Sequence, residues 1–206
     1  VKLDLGSGPA GEPGHLRLDA DPNCKPDVVA TVPPLPFADE TFEHIYSSHF
    51  IEHLHRPDAL EALKECHRCL KPEGTIIIAV PNGREILRGY VEKIQRVGPV
   101  GFGEVVRNCD HTDLDNLNHL YLYSTIQPSH HKWLYDEDTI VRLVGLAGFR
   151  WFTYGTPRAW WEVVVQAVKS DTSPGSHYTE LRRKPSVPEE RPDRGLRRKR
   201  RKQHAR

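Results

Sequence analysis

Over the first eighty residues the apolar positions fall in short runs, each closed by turn-forming residues. Val1–Leu5 is an apolar run that ends in Gly6-Ser7-Gly8. His15–Leu18 alternates apolar with polar positions and ends at Asp19. Asp27–Thr31 and His44–Ser48 repeat the form, and Thr75–Val80 is a β-branched run suited to a strand buried on both faces. Between the last two, Leu60, Leu63 and Leu70 recur at helical spacing after Pro57, a residue well placed in a first helical turn. Lys71-Pro72-Glu73-Gly74 stops that helix. Strands alternating with crossovers predict a parallel α/β sheet.

Further along, a helix is expected over 84–97, and another over 137–146, capped by Asp136 and closed by Gly148. Strands over 150–154 and 160–169, joined by Gly155-Thr156-Pro157-Arg158, predict an antiparallel hairpin. Residues 98–135 lack a clear period, and from Ser170 onward proline, serine and charge predict disorder. The domain is therefore expected over 1–169, with 98–135 as an insertion and 170–206 as a basic tail.

The glycine turn carries the first chemical information. Gly6 and Gly8 permit a sharp turn and close approach of backbone to a ligand. Gly6-Ser7-Gly8-Pro9-Ala10-Gly11 also satisfies a dinucleotide-binding pattern. That pattern needs a helix N-terminus facing the pyrophosphate, and the ten residues from Gly6 to His15 leave no room for one. Asp4, at the carboxyl end of the strand, would repel a pyrophosphate and attract a cationic amino group. These features favour S-adenosylmethionine over NAD.

Charge adds an asymmetry to this picture. The chain of 206 residues has a net charge of +1, yet residues 191–206 carry +8 and the first 190 carry −7. The run Leu196–Lys202 could hold nucleic acid without sequence preference, touch another acidic surface, or keep the protein soluble. Four cysteines, an opening directly on a strand and the lack of a long apolar stretch point to a cytoplasmic protein without a leader, disulfide framework or membrane span.

Several ordered blocks together resemble the class I S-adenosylmethionine-dependent methyltransferases, type 11 branch. They are Leu3–Gly8, the strand ending at Asp19, Leu35–Phe42, Ser48–Leu54 and Leu70–Thr75, with a weaker echo at Trp133–Phe149. The resemblance implies a Rossmann-like, mostly parallel seven-stranded sheet with a C-terminal antiparallel hairpin, here with a compact first crossover. It implies that Gly6, Ser7 and Gly8 border the methionine part of S-adenosylmethionine and that Asp4 faces its amino group. Asp19 would take both ribose hydroxyls, with Asp21 as the alternative. Ala30 and Thr31 would lie at the adenine, where the family often has an acid.

Ser48 and His49 follow the fourth strand, at the edge where the methyl group would pass. His49 is the candidate catalytic residue, either as a general base or as a wall of the site, while Glu52 and His53 fix the loop. No metal ligands are assigned. The C-x-x-C of Cys66 and Cys69 lies on a helix with no second pair and reads as core. Asp110, His111, Asp113, Asp115, His119, His130 and His131, with nearby aromatics, leave three readings open: a metal site, a cap over the acceptor, or a solvated loop. The expected activity is methyl transfer to a small-molecule nucleophile. The alternatives are methylation of RNA or protein through the tail, and a non-catalytic cofactor-binding protein.

Overall fold

The computed structural model describes residues 1–97 and 131–170. Of the expected insertion over 98–135, residues 98–130 lie outside the described residues, as do residues 171–206 of the expected tail over 170–206.

Seven strands form one sheet: β1 (Lys2–Leu5), β2 (Leu16–Asp19), β3 (Val28–Val29), β4 (Phe42–Ser48), β5 (Leu70–Pro81), β6 (Trp151–Tyr154) and β7 (Glu162–Val168). Their spatial order is β3-β2-β1-β4-β5-β7-β6. The pairs from β3 through β5 are parallel, whereas β7 runs antiparallel to both β5 and β6. The expected Rossmann-like sheet with its late hairpin is present. Leu3, Leu5, Leu18, Ile45, Ile76 and Ile78 lie in its buried centre, each contributing about 1.5–3 kcal/mol of apolar burial.

No helix forms between β1 and β2. Gly6 and Ser7 donate their amides to Leu18 O at 2.9 and 3.1 Å, so the chain turns back at once. The compact crossover is as expected, and the dinucleotide reading loses its helix.

Helix α1 (Arg56–Cys69) buries Ala59, Ala62, Leu63, Cys66 and Cys69, so both thiols of the C-x-x-C belong to the core. Burial pushes the Cys66 thiol far above its ordinary range, leaving it protonated and unreactive. Helix α2 (Gly83–Val97) follows β5. Helix α3 (Glu137–Leu146) packs Ile140, Leu143 and Val144 towards α1 and β7. Its capping box is complete: Asp136 accepts from the Thr139 amide at 2.9 Å, and Thr139 Oγ1 accepts from the Asp136 amide at 2.8 Å.

Two strands differ most from expectation, while β4 starts two residues earlier, at Phe42, and β7 is shorter, at Glu162–Val168. β3 is shorter, because Asp27 leaves the ladder to accept the Arg17 amide at 2.8 Å. β5 is longer and starts as α1 ends. Leu70 pairs with Phe42 and Thr75 with His44, and Lys71–Gly74 bulges out between them. The stop signal was correct for the helix; the strand absorbs it as a bulge.

Candidate active site

In a parallel sheet, ligands bind beyond the carboxyl ends of the strands. Gly6, Asp19, Ser48 and Asn82 stand at the ends of β1, β2, β4 and β5. Because β7 is antiparallel, its first residue, Glu162, lies at the same edge, paired with Pro81.

The turn after β1 is braced from within. Asp4 is buried, and its Oδ2 accepts the Glu12 amide at 2.6 Å, which ties the returning chain to the strand. Burial raises its pKa, against the lowering effect of that amide. One carboxylate oxygen is thus engaged in the turn itself. Asp19 Oδ2 accepts the Gly8 amide at 2.8 Å, and its Oδ1 accepts the Asp21 amide at 2.9 Å. A carboxylate has about four acceptor positions, so Asp19 retains capacity while fixed against the glycine turn. Asp21 faces elsewhere: its Oδ1 accepts from the Asn23 amide and side chain in a short 3-10 turn. Arg17 reinforces the turn by donating to Gly8 O at 2.6 Å and Cys24 O at 2.9 Å.

Gly6 and Gly8 are not equivalent. Gly6 has φ +71°, and a Cβ there would stand 2.4 Å from Phe50 Cγ. Gly8 has φ +55°, and nothing lies within 4 Å of the place its Cβ would take. The turn is closed towards Phe50 at one glycine and has room for a ligand at the other, beside the Asp19 carboxylate. The residues present therefore fit an adenosyl cofactor. The Ala30 amide donates to Asp19 O at 3.0 Å, which places the Ala30-Thr31 backbone beside this acid. Thr31 is exposed.

After β4 the backbone makes an unusual turn. His49 has φ +54°, a left-handed conformation uncommon for a residue with a Cβ. Its ring is held at both nitrogens: Nδ1 is 3.2 Å from Glu52 Oε1, and Nε2 is 3.0 Å from Glu162 Oε1. Both carboxylates can only accept, so both ring nitrogens donate. The bond to Glu162, then that to Glu52, pushes the imidazole pKa up to about 9. In this arrangement the ring is a cation with no lone pair to offer as a base.

Glu162 is buried and also accepts from the Arg158 amide at 2.6 Å and its guanidinium at 2.9 Å. Although burial opposes ionisation, His49 and Arg158 hold the Glu162 carboxyl down at about 2. Arg158 donates on to Ser48 Oγ at 2.6 Å, and the Trp161 ring lies 5.6 Å from that of His49.

The structure thus brings the sequence candidates Asp4, Gly6, Ser7, Gly8, Asp19, Ala30, Ser48 and His49 to one sheet edge. Sequence reasoning missed Arg158 and Glu162. One signal was available: Glu162 is the single acid directly ahead of Val163-Val164-Val165, a run that must be buried.

The type 11 methyltransferase-domain family model matches residues 3–78, the segment that builds β1 to β5 and the glycine turn. No curated protein matches the sequence. Solved structures share the fold. A possible histamine N-methyltransferase from Thermotoga maritima aligns with TM-score 0.53 at 17% identity, over 82% of each chain. A Haloferax volcanii candidate methyltransferase, solved with the Trm112 methyltransferase activator, gives 0.52 at 16% identity over 84% of this chain and 83% of that one. A Burkholderia thailandensis 1,6-didemethyltoxoflavin-N1-methyltransferase, solved with its substrate and S-adenosylhomocysteine, gives 0.50 at 17% identity over 83% and 71%. None of the described helices is long and apolar enough to cross a membrane. The family model rests on the strands and turn that make this edge, and over residues 3–78 the chain is similar to the methyltransferase-domain family, type 11 branch.

Proposed function

We propose that this enzyme methylates a small-molecule nucleophile held at the edge where Ser48, His49, Arg158 and Glu162 meet. The observation that carries this reading is the His49 ring fixed between two buried carboxylates, beside the Gly6–Phe50 contact that joins this edge to the glycine turn. S-adenosylmethionine, when bound, supplies an electrophilic methyl group on its sulfonium.

In this reading the protein's part is chiefly positioning, which can account for much of the rate of an in-line transfer. Asp19 binds both ribose hydroxyls, with its carboxylate already oriented by two backbone amides. Gly6, Ser7 and Gly8 border the methionine moiety, and Asp4 turns its remaining oxygen to the amino group. The Ala30-Thr31 backbone flanks the adenine. His49 serves as a cationic wall that orients the acceptor rather than as its base, and Arg158, with Ser48, offers donors to a polar group of the acceptor. The protein acts in the cytoplasm.

The basic run of 191–206 favours a second reading, in which RNA or protein is the acceptor and the tail supplies affinity. Transfer of labelled methyl to a panel of hydroxyl, amine and carboxylate acceptors, and to total RNA, separates the two. Deleting 191–206 is expected to leave small-molecule transfer within about twofold. Loss of all transfer at low salt with cofactor binding intact would establish the macromolecular acceptor instead.

A further inference from the structure

Glu52 lies in the 3-10 turn Ile51–His53, with its side chain 1% exposed. Its Oε1 faces His49 Nδ1 at 3.2 Å, while its Oε2 is sheltered and has no hydrogen-bond partner among the described residues. Leaving a buried carboxylate oxygen unsatisfied is costly, more so than for a neutral group. Two imidazoles converge on the same carboxylate. His131 Nε2 stands 3.9 Å from Glu52 Oε1, too far for a hydrogen bond. The His53 and His131 rings meet edge to face at 4.7 Å. One donor atom from each of Glu52, His53 and His131 lies within 4.8 Å of the other two.

The backbone assembles this group. Glu52 O accepts the amides of Lys132 at 2.6 Å and Trp133 at 3.2 Å, which brings the chain returning at 131 onto the turn after β4. The Gly83 amide, donating to Tyr135 O at 2.7 Å, holds the same return from the other side. The three donors are therefore placed by main-chain bonds. The Tyr135 phenol is also buried without a hydrogen-bond partner among the described residues.

We propose that Glu52, His53 and His131 form a binding site for a divalent transition-metal ion of the zinc class. Two imidazoles and one carboxylate suit zinc and its first-row neighbours, whereas calcium and magnesium prefer all-oxygen sites. The ion takes the unengaged Glu52 Oε2, leaving Oε1 to His49. Tetrahedral ligands at about 2.0–2.1 Å from the metal stand roughly 3.4 Å apart, so the side chains must close by about an ångström. With three protein ligands, a fourth position remains for water or another oxygen. The ion's effect is to clamp the 131–135 return to the β4 turn next to His49. The proposal does not depend on the identity of the methyl acceptor.

The full chain, stripped with a chelator and dialysed, is titrated with Zn2+ and separately with Co2+. One ion per chain is expected, with micromolar or tighter affinity, a raised Tm, and for Co2+ the visible bands of a low-coordinate site. Glu52→Gln and His131→Ala are each expected to weaken Zn2+ binding at least 100-fold, while His55→Ala leaves it unchanged. His131 is the safer variant for folding, since its side chain is 22% exposed, and near-parental circular dichroism confirms that it folds. Failure of the parent to bind Zn2+, or binding that His131→Ala leaves intact, overturns the site.

Discussion

Gly6→Ala is expected to lower stability by about 2–5 kcal/mol and to abolish measurable cofactor binding. The first contribution is the backbone: at φ +71° an alanine pays about 1–2 kcal/mol for the left-handed conformation. The second is contact. The new methyl would meet Phe50 Cγ, Cδ2 and Cβ at 2.4, 2.5 and 2.6 Å. Phe50 Cβ is tied to its backbone and cannot swing aside, so the strain falls in the range of about 1–3 kcal/mol typical of overpacking. Phe50 sits between His49 and the Ile51–His53 turn, so a shift there also displaces the edge proposed to hold the acceptor. A Tm lower by roughly 5–15 °C follows for a chain of this size. Gly8→Ala separates the two effects. With nothing within 4 Å of its Cβ, it is expected to cost only about 1–2 kcal/mol of backbone strain yet still weaken cofactor binding. Parental stability in Gly6→Ala would refute the close approach at Phe50.

Glu162→Ala is expected to cost about 3 kcal/mol at neutral pH, because it removes one side of a buried ion network. Its side chain is 1% exposed and accepts from His49 and Arg158. The partners left behind are less deeply buried, with side chains 30% and 60% exposed, which holds the cost near the low end of the range for broken buried pairs. The sign of its pH dependence follows from linkage. The folded-state carboxyl titrates at about 2 against an ordinary 4.5, so this stabilisation is complete above 4.5 and is lost as acid takes the pH down through 2. Denaturant melts of parent and variant should therefore differ fully at pH 7 and converge towards pH 2. A difference independent of pH would mean that packing, not charge, sets the role of Glu162.

The sheet and its helices were legible where periodicity is local. Asp136 and the apolar spacing after it marked α3 at Glu137–Leu146, the bounds found. The extent of β3 was not legible, because the length of an edge strand depends on what its one neighbour pairs with, and Asp27 turns instead to Arg17. The same contrast holds at the site. Asp4, Gly6, Gly8 and Asp19 lie within 16 residues of one another, and one strand–turn–strand unit brings them together. His49 meets Glu162 across 113 positions, a contact created only by the antiparallel register of β7 on β5. Without it, His49 reads as a free imidazole available as a base; with it, the ring is charged and held at both ends. His131 is a similar case: its spacing from Glu52 and His53 carries no signal until the return after 130 is placed.

The central claim is that this edge holds S-adenosylmethionine through Asp19. The most direct measurement is calorimetric titration of the full chain and of Asp19→Ala with S-adenosylhomocysteine, with NAD as the control ligand. The account predicts micromolar binding to the parent, weakened at least tenfold in Asp19→Ala, a loss of about 1.4 kcal/mol, and no binding of NAD. Unchanged affinity in Asp19→Ala, or binding of NAD in place of S-adenosylhomocysteine, would contradict it.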